Sequence, residues 1–256
     1  EILDGRRFSR VLIDEATQAT EPASLVPISR GARQIVLIGD HKQLPPTVIS
    51  RRAERGGLAR SLFERMTEMG VVPMLLKTQY RMHPTISEFP NLYFYSGQLE
   101  DGVRAGERLA PNGISWPDWE NPIAFIPVEG NEEISPDGAS KENHEEASKI
   151  VTILTELIDG GNLETRDIGI ITPYAGQVKA IRDIIPDSLQ GVEVRTVDGY
   201  QGREKEVILF SCVRSKYLSI SPFLIFSLTI ESRASFIIFF FSTFFKPGLK
   251  AARYLY

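Results

Sequence analysis

The sequence contains very little cysteine and histidine. A single cysteine, Cys212, excludes an internal disulfide framework. With only three histidines in 256 residues, a zinc site built from cysteine and histidine is not expected either. Residues 1–10, EILDGRRFSR, are charged and lack the apolar run that a signal peptide needs. These absences favour a reducing, intracellular setting.

The chain also lacks a strong net charge and any long apolar segment. Its formal net charge is −4, and 42% of its residues are hydrophobic, which is ordinary for a globular protein. A groove for nucleic acid needs only a local stripe of Lys and Arg, so this charge does not exclude one. No uninterrupted apolar run reaches the roughly 20 residues of a membrane span, and we expect no membrane partner.

Short apolar runs alternate with amphipathic patterns along most of the chain. The expected strands lie at residues 10–16, 33–40, 74–82, 123–130, 167–174, 192–202 and 206–215. The expected helices lie at residues 57–70, 143–161 and 175–185. This alternation predicts an α/β fold with a parallel sheet. Apart from its one strand, the segment 100–142 is expected to be surface loop because it is rich in Gly, Pro, Asp, Glu and Asn.

The stretch VLIDEATQAT, residues 11–20, places two acids directly after an apolar strand. Asp14 suits a ligand of a Mg²⁺ ion on nucleotide phosphates, since Mg²⁺ prefers a carboxylate together with waters and phosphate oxygens. Glu15 suits a general base that takes a proton from an attacking water. The alternative is that both acids form a solvated strand end.

A second apolar strand ends in LIGDHKQLPPTV, residues 37–48. The amide of Gln43 can reach a γ-phosphate or the attacking water, as glutamine does in other nucleotide hydrolases. Two prolines stiffen the loop behind it, because proline fixes φ. The alternative is a plain rigid turn.

The motif QYRMHP, residues 79–84, offers two further candidates. Arg81 can place a guanidinium on a phosphate. Tyr80 offers a ring face to a base, although it could equally pack into the core. We interpret His83 only as a turn residue before a proline.

The last motif, VDGYQGREKEVILFSCVRS, spans residues 197–215. Gly199 and Gly202 permit close approach of the backbone to a nucleotide or a nucleic-acid strand. Gln201 and Glu204 are suited to form hydrogen bonds with a ribose, or to transmit a change of ligand state from one site to another. The alternative is a β-turn that joins two strands.

Five motifs occur in the order seen in superfamily 1 helicases: LIDEATQATEP, GDHKQLPP, QYRMHP, GIITPYAGQ and VDGYQGREKEVILFSCVR. Over about residues 8–215 the chain most resembles the Up-frameshift type, the ATP-dependent RNA helicases of nonsense-mediated mRNA decay. The resemblance implies a P-loop NTPase fold with RecA-like parallel sheets and flanking helices. It implies ATP and Mg²⁺ as cofactors, and single-stranded RNA (or DNA) and mRNA-decay proteins as partners. It also implies a cytoplasmic and possibly nuclear location.

The same resemblance gives each candidate a role. Asp14 and Glu15 resemble the Mg²⁺ ligand and the catalytic base, and Gln43 resembles the γ-phosphate sensor. Arg81 resembles the arginine that contacts the γ-phosphate across the cleft between two RecA-like domains. Tyr80 resembles the residue that stacks on adenine.

In the later motifs, Glu204 resembles the acid that bonds the nucleotide ribose, and Gly202 lies beside the phosphates. A further group resembles the residues near the nucleic-acid backbone: Thr172, Pro173, Tyr174 and Thr196.

The chain departs from this family at both ends. It contains no G-x-x-x-x-G-K-[ST] phosphate loop, which we expect upstream of Glu1. Residues 1–75 would then be part of the first RecA-like domain, and residues 76–215 most of the second. The family continues into a motif NVALTRAR that is missing here. Residues 216–256 instead form an aberrant hydrophobic tail, which intron read-through or a frameshift would produce.

Several alternatives stay open. The tail could be a divergent strand and helix that close the sheet. Without the phosphate loop and the last motif, the isolated chain is expected not to hydrolyse ATP. It could then be a catalytically inactive RecA-like module that binds nucleic acid or a protein. A DNA helicase of the same superfamily would differ only in its substrate.

Overall fold

The computed structural model describes residues 5–116 and 120–214, together with the backbone of the strand Phe236–Ser242. The chain divides into two compact units, Glu1–Leu76 and Lys77–Tyr256. No helix among the described residues is both long enough and apolar enough to cross a membrane.

The first unit contains one pair of parallel strands and three short helices. Its strands pair in the register Arg10↔Gln34 to Ile13↔Leu37. The elements are β1 (Arg10–Ile13), α1 (Glu21–Ile28), β2 (Gln34–Leu37), α2 (Arg51–Arg55) and α3 (Leu62–Glu68). Helix α3 starts later than the expected residue 57, because the hydroxyl of Ser61 accepts the backbone N–H of Glu64 at 3.1 Å and caps the helix there.

The second unit contains a five-stranded parallel sheet in the order β5-β11-β10-β8-β9. Its strands are β5 (Ile123–Val128), β8 (Ile168–Thr172), β9 (Glu193–Thr196), β10 (Val207–Ser211) and β11 (Phe236–Ser242). Two small pairs accompany it: β3 (Thr78–Gln79) with β4 (Glu100–Asp101), and β6 (Glu133–Ile134) with β7 (Lys141–Glu142). The predicted α/β fold with parallel sheets is confirmed.

The helices of the second unit are α4 (Pro84–Phe94), α5 (His144–Asp159), α6 (Ala175–Ile184) and α7 (Val197–Tyr200). Helix α5 packs against α6 and against the sheet. Its apolar residues recur at helical spacing, and Ile150, Leu154 and Leu157 are completely buried. They form one core with every second residue of the central strands, such as Ile168 and Ile170 of β8.

Two predicted strands are wrong in extent. Of the segment 74–82 only Thr78 and Gln79 form a strand, and the side chain of Met74 is 90% exposed. The strand expected at 192–202 ends at Thr196, because its hydroxyl accepts the backbone N–H of Gly199 at 3.3 Å and starts α7.

Strand β11 lies inside the hydrophobic segment 216–256. It pairs in parallel with β10 on one side and with β5 on the other, from Phe236 to Ser242. A strand at this place in the sheet is what the alternative to an aberrant tail predicts. The rest of the segment lies outside the described residues, and the origin of its sequence stays a prediction.

His83 is the N-cap of α4, in agreement with its interpretation as a turn residue. Its Nδ1 atom accepts the backbone N–H of Thr85 at 3.1 Å, which requires that nitrogen to be unprotonated. The side chain is only 3% exposed. Burial lowers the pKa of His83, and the nearby charge of Asp101 opposes this effect without cancelling it.

This environment predicts a pH dependence of stability. The unfolded chain binds a proton on His83 near its ordinary pKa of about 6.5. The folded chain binds that proton only at lower pH, so stability falls as the pH drops below about 6.5. His83→Asn keeps a capping side chain and removes the titration. The unfolding midpoint of this variant should therefore decrease less between about pH 7.5 and pH 5.5 than that of the unsubstituted chain.

The matched control is His41→Asn, since the His41 side chain is exposed. This variant should keep the pH dependence of the unsubstituted chain. Thermal unfolding at several pH values measures both, and an unchanged slope in His83→Asn contradicts the account.

Candidate active site

In the first unit, the carboxyl ends of β1 and β2 are joined by backbone hydrogen bonds. The N–H of Ile38 donates to the carbonyl of Ile13 at 2.9 Å, and the N–H of Ala16 donates to the carbonyl of Ile38 at 2.7 Å. The loops that follow the two strands therefore start side by side, and the polar residues of both motifs meet at one edge.

The acid pair lies directly at this edge. The carboxylate of Asp14 is exposed, and its Oδ1 accepts the backbone N–H of Glu15 at 3.0 Å. Glu15 has a φ of 50°, a left-handed conformation that is uncommon outside glycine and often marks functional sites. Its Oε2 accepts the amide of Gln18 at 2.9 Å. The carboxylate of Asp14 is thus exposed, whereas that of Glu15 is bonded to the side-chain amide of Gln18.

An exposed carboxylate at a strand end fits the Mg²⁺ expected at Asp14, because this ion keeps several waters and phosphate oxygens as its other ligands. Within the described part of the chain, no group of three or more His, Cys, Asp or Glu could hold a metal ion by itself.

Asp40 is a site residue that the sequence analysis left without a role. Its Oδ2 accepts the amide of Gln43 at 3.0 Å, and its Oδ1 accepts the backbone N–H of Lys42 at 2.9 Å. Its own N–H donates to the hydroxyl of Thr17 at 3.3 Å. Asp40 therefore orients the predicted sensor Gln43. The sequence did carry a signal for Asp40. Like the acid pair, it directly follows an apolar run, here LIG.

In the second unit, the side chain of Gln79 builds the turn that carries Tyr80 and Arg81. Its Oε1 accepts the backbone N–H groups of Arg81 at 2.9 Å and Met82 at 2.8 Å. Its Nε2 donates to the carbonyl of Met82 at 2.9 Å and to Asp101 at 2.6 Å. The turn leaves the Tyr80 side chain 70% exposed, so the alternative of core packing does not apply to it.

Arg81 and Glu204, predicted from separate motifs, form an ion pair. Both side chains are substantially exposed, and the structure thus brings the candidate phosphate and ribose contacts of this unit together. Gly202 lies nearby in sequence with a φ of 74° and open space where a Cβ would be. A nucleotide can approach its backbone closely.

The four candidates for nucleic-acid contact occupy different positions. Thr172 is buried, and its hydroxyl accepts the N–H of Tyr174 at 3.5 Å. Thr196 caps α7 with its hydroxyl. Pro173 and Tyr174 are half-buried at the start of α6. Both threonine hydroxyls are therefore bonded within their own turns, and only Thr172 of the four is buried.

Arg214 is a neighbour of Tyr174 that the sequence analysis did not select. Its Nε donates to Glu132 at 2.7 Å. A hydrogen bond to the side chain of Tyr174 and the bond to Glu132 raise the pKa of Arg214, which keeps its charge at all relevant pH values.

A buried polar network fixes the carboxyl end of β10 just before Arg214. The Oε2 of Glu146 accepts the hydroxyl of Ser211 at 2.6 Å and the N–H of Val213 at 2.9 Å. Gln177 donates to the same hydroxyl at 3.0 Å. Val213 has a φ of 63°, which is strained for a β-branched residue, and the network holds it there.

Comparison with known proteins places this geometry in a family. Two family models, each described as AAA domain, match residues 1–51 and 58–232, and the second covers more than half of the chain. Among solved structures, the arterivirus non-structural protein 10 (helicase) is 15% identical with a TM-score of 0.46, over 94% of this chain and 40% of that chain.

Curated relatives are much more similar in sequence. The regulator of nonsense transcripts 1 homolog of Neurospora crassa is 45% identical over 83% of this chain and 20% of that protein. The Drosophila melanogaster homolog is 44% identical over 83% of this chain and 19% of that protein. The ATP-dependent helicase NAM7 of Saccharomyces cerevisiae is 45% identical over 82% of this chain and 22% of that protein. The chain spans about a fifth of the length of these relatives.

The matched models, the parallel sheets and the acid pair at a strand end together define a P-loop NTPase with an AAA domain. Within that class, the chain belongs to the superfamily 1 helicases of the Up-frameshift type.

The buried network makes a prediction about stability. Ser211→Ala removes a completely buried hydroxyl and leaves Glu146 and Gln177 each short of one hydrogen bond. The free energy of unfolding should fall by about 1–3 kcal/mol. Ser148→Ala, on the exposed face of α5, should change it by less than about 0.5 kcal/mol. Urea denaturation measures both, and equal stabilities of the two variants would refute the role of the network.

Proposed function

We propose that this chain is part of an ATP-dependent helicase that couples ATP hydrolysis to movement along single-stranded RNA in nonsense-mediated mRNA decay. The observation that carries the proposal is the acid pair Asp14–Glu15, with Glu15 oriented by Gln18 and with Asp40 and Gln43 at the adjacent strand end. The names of the relatives, regulator of nonsense transcripts 1 and ATP-dependent helicase, support the same activity.

The first unit supplies the hydrolytic groups. Asp14 would hold Mg²⁺ through its exposed carboxylate, and the ion would offset charge on the phosphates of ATP. Glu15 takes a proton from the attacking water, and its bond to Gln18 keeps the carboxylate in position. Gln43, held at its amide nitrogen by Asp40, directs its amide oxygen to that water.

The second unit supplies contacts to the nucleotide. Tyr80 offers its exposed ring to the adenine base, and Arg81 binds the γ-phosphate. When Arg81 binds the phosphate, its ion pair with Glu204 breaks. The carboxylate of Glu204 can then accept hydrogen bonds from the ribose hydroxyls. Gly202 lets the backbone lie close to the phosphates.

The nucleic-acid strand contacts the turn at the start of α6. Tyr174 and Pro173 lie at its surface, and the nearby guanidinium of Arg214 adds a fixed positive charge. Thr172 and Thr196 support the turns with their hydroxyls. Binding through backbone phosphates makes the affinity fall as the salt concentration rises. A factor of mRNA decay acts in the cytoplasm, with access to the nucleus and to other decay proteins.

The role of Glu15 gives the sharpest test. In the full-length protein, Glu15→Gln should lower RNA-stimulated ATP hydrolysis by about 10²-fold to 10⁴-fold, because the general base is lost. ATP binding should be retained, since Asp14 and the side chains of the second unit are unchanged. The measurements are phosphate release and equilibrium binding of ATP.

Glu54→Gln serves as the control, because Glu54 is exposed on α2 and lies outside the five motifs. It should hydrolyse ATP at the original rate. Hydrolysis that survives in Glu15→Gln would show that another group is the base. Absence of hydrolysis in the unsubstituted full-length protein would favour the inactive binding module. Stronger stimulation by single-stranded DNA than by RNA of equal length would favour the DNA helicase.

A further inference from the structure

The ring of Tyr80 rests on Gly102, a residue 22 positions further along the chain. A Cβ atom at position 102 would lie 2.4 Å from Cε1 and 2.5 Å from Cδ1 of that ring. The backbone holds the two residues together, because the N–H of Gly102 donates to the carbonyl of Gln79 at 2.7 Å. One side of the ring is therefore supported by a bare backbone, while the side chain remains 70% exposed.

Arg108 fixes the backbone of the same turn. Its Nε donates to the carbonyl of Arg81 at 3.2 Å, and its Nη2 donates to the carbonyl of Tyr80 at 3.3 Å. A planar guanidinium presents its N–H groups in a rigid fork that suits two successive carbonyls, whereas the ammonium of a lysine has no such fixed geometry. Gly102 and Arg108 both belong to the segment 100–142, which the composition of the chain indicates as mostly surface loop.

We propose that Gly102 and Arg108 are positioning residues for adenine recognition: Gly102 is the platform that sets the plane of the Tyr80 ring, and Arg108 sets the backbone that carries it. This role rests on the proposed stacking of Tyr80 on the base. Absence of a side chain at position 102 is required because any Cβ would occupy the volume of the ring edge.

A methyl group at position 102 would displace the ring rather than unfold the chain. The Tyr80 side chain is exposed and can rotate away at little cost, and the next nearest atom is the methyl of Thr78, at 3.0 Å. Gly102 does not have a positive φ, so alanine introduces no backbone strain there. The expected consequence is a misplaced ring in a protein of nearly unchanged stability.

Gly106 is a matched control in the same segment. A Cβ at that position meets nothing within 4 Å, and its φ is not positive either. Gly106→Ala adds the same methyl group a few residues away without touching the Tyr80 ring. Arg108→Lys is the second variant, because it keeps the charge and removes the two-pronged contact to the carbonyls.

The experiment compares two ligands, Mg²⁺–ATP and Mg²⁺–tripolyphosphate, by equilibrium binding to the full-length protein and its variants. Stacking of a base on an aromatic ring is worth enough to change the Kd by roughly tenfold. Gly102→Ala and Tyr80→Ala should each raise the Kd for ATP by about that factor, and their combination should do no more. Arg108→Lys should weaken ATP binding in the same selective way. The Kd for tripolyphosphate, which has no base, should stay unchanged in all of them.

The outcomes separate this inference from the proposed function. If Tyr80→Ala weakens ATP binding and Gly102→Ala behaves like Gly106→Ala, the platform is wrong and stacking by Tyr80 stands. If Tyr80→Ala does not change the Kd for ATP, Tyr80 does not stack on the base, and the proposed role of Gly102 is wrong as well. Equal weakening of ATP and tripolyphosphate in Gly102→Ala would also overturn the inference, since the change would then act through the phosphates or the fold. Thermal unfolding of each variant identifies the last case.

Discussion

Parallel pairing of strands is the constraint on which this structure depends. A parallel ladder directs the carboxyl ends of neighbouring strands to one edge, so residues from separate motifs meet there. In the first unit this places the loops after β1 and β2 side by side, where the N–H of Asp40 donates to the hydroxyl of Thr17. In the second unit it brings the end of β8, with Thr172, next to the end of β10. These two arrangements depend on a strand register that a one-residue shift would destroy.

Two of the three non-glycine residues with a positive φ among the described residues follow parallel strands: Glu15 follows β1 and Val213 follows β10. Hydrogen bonds hold both turns, since the side chain of Gln18 donates to Glu15 and Glu146 accepts the N–H of Val213. Strained residues persist only where their surroundings over-determine them, and such places are frequently functional. In both units, a parallel strand is thus followed by a left-handed residue in a hydrogen-bonded turn.

Much of this was predictable from sequence, and the exceptions share a cause. The apolar runs of β8 and β10 predicted parallel strands because both are completely buried, and continuous burial leaves a pattern in the sequence. The runs of β1 and β2 predicted strands as well, although several of their side chains are exposed in this structure. In the segment 74–82 the predicted strand was too long, since only Thr78 and Gln79 pair. The roles of Gln79, Gly102 and Arg108 left no local pattern. Their effect comes from contacts with the Tyr80 turn, which only the folded chain reveals.

The central proposal is that Asp14, directly after β1, would hold the Mg²⁺ that accompanies ATP. Replacing Mg²⁺ by Fe²⁺ in the full-length protein, and generating hydroxyl radicals at the bound ion, would map its position by backbone cleavage. We expect ATP-dependent cleavage beside Asp14 and beside Asp40, and loss of both cuts in Asp14→Ala. Cleavage confined to other segments, or cleavage at these two sites that does not require ATP, would contradict the account.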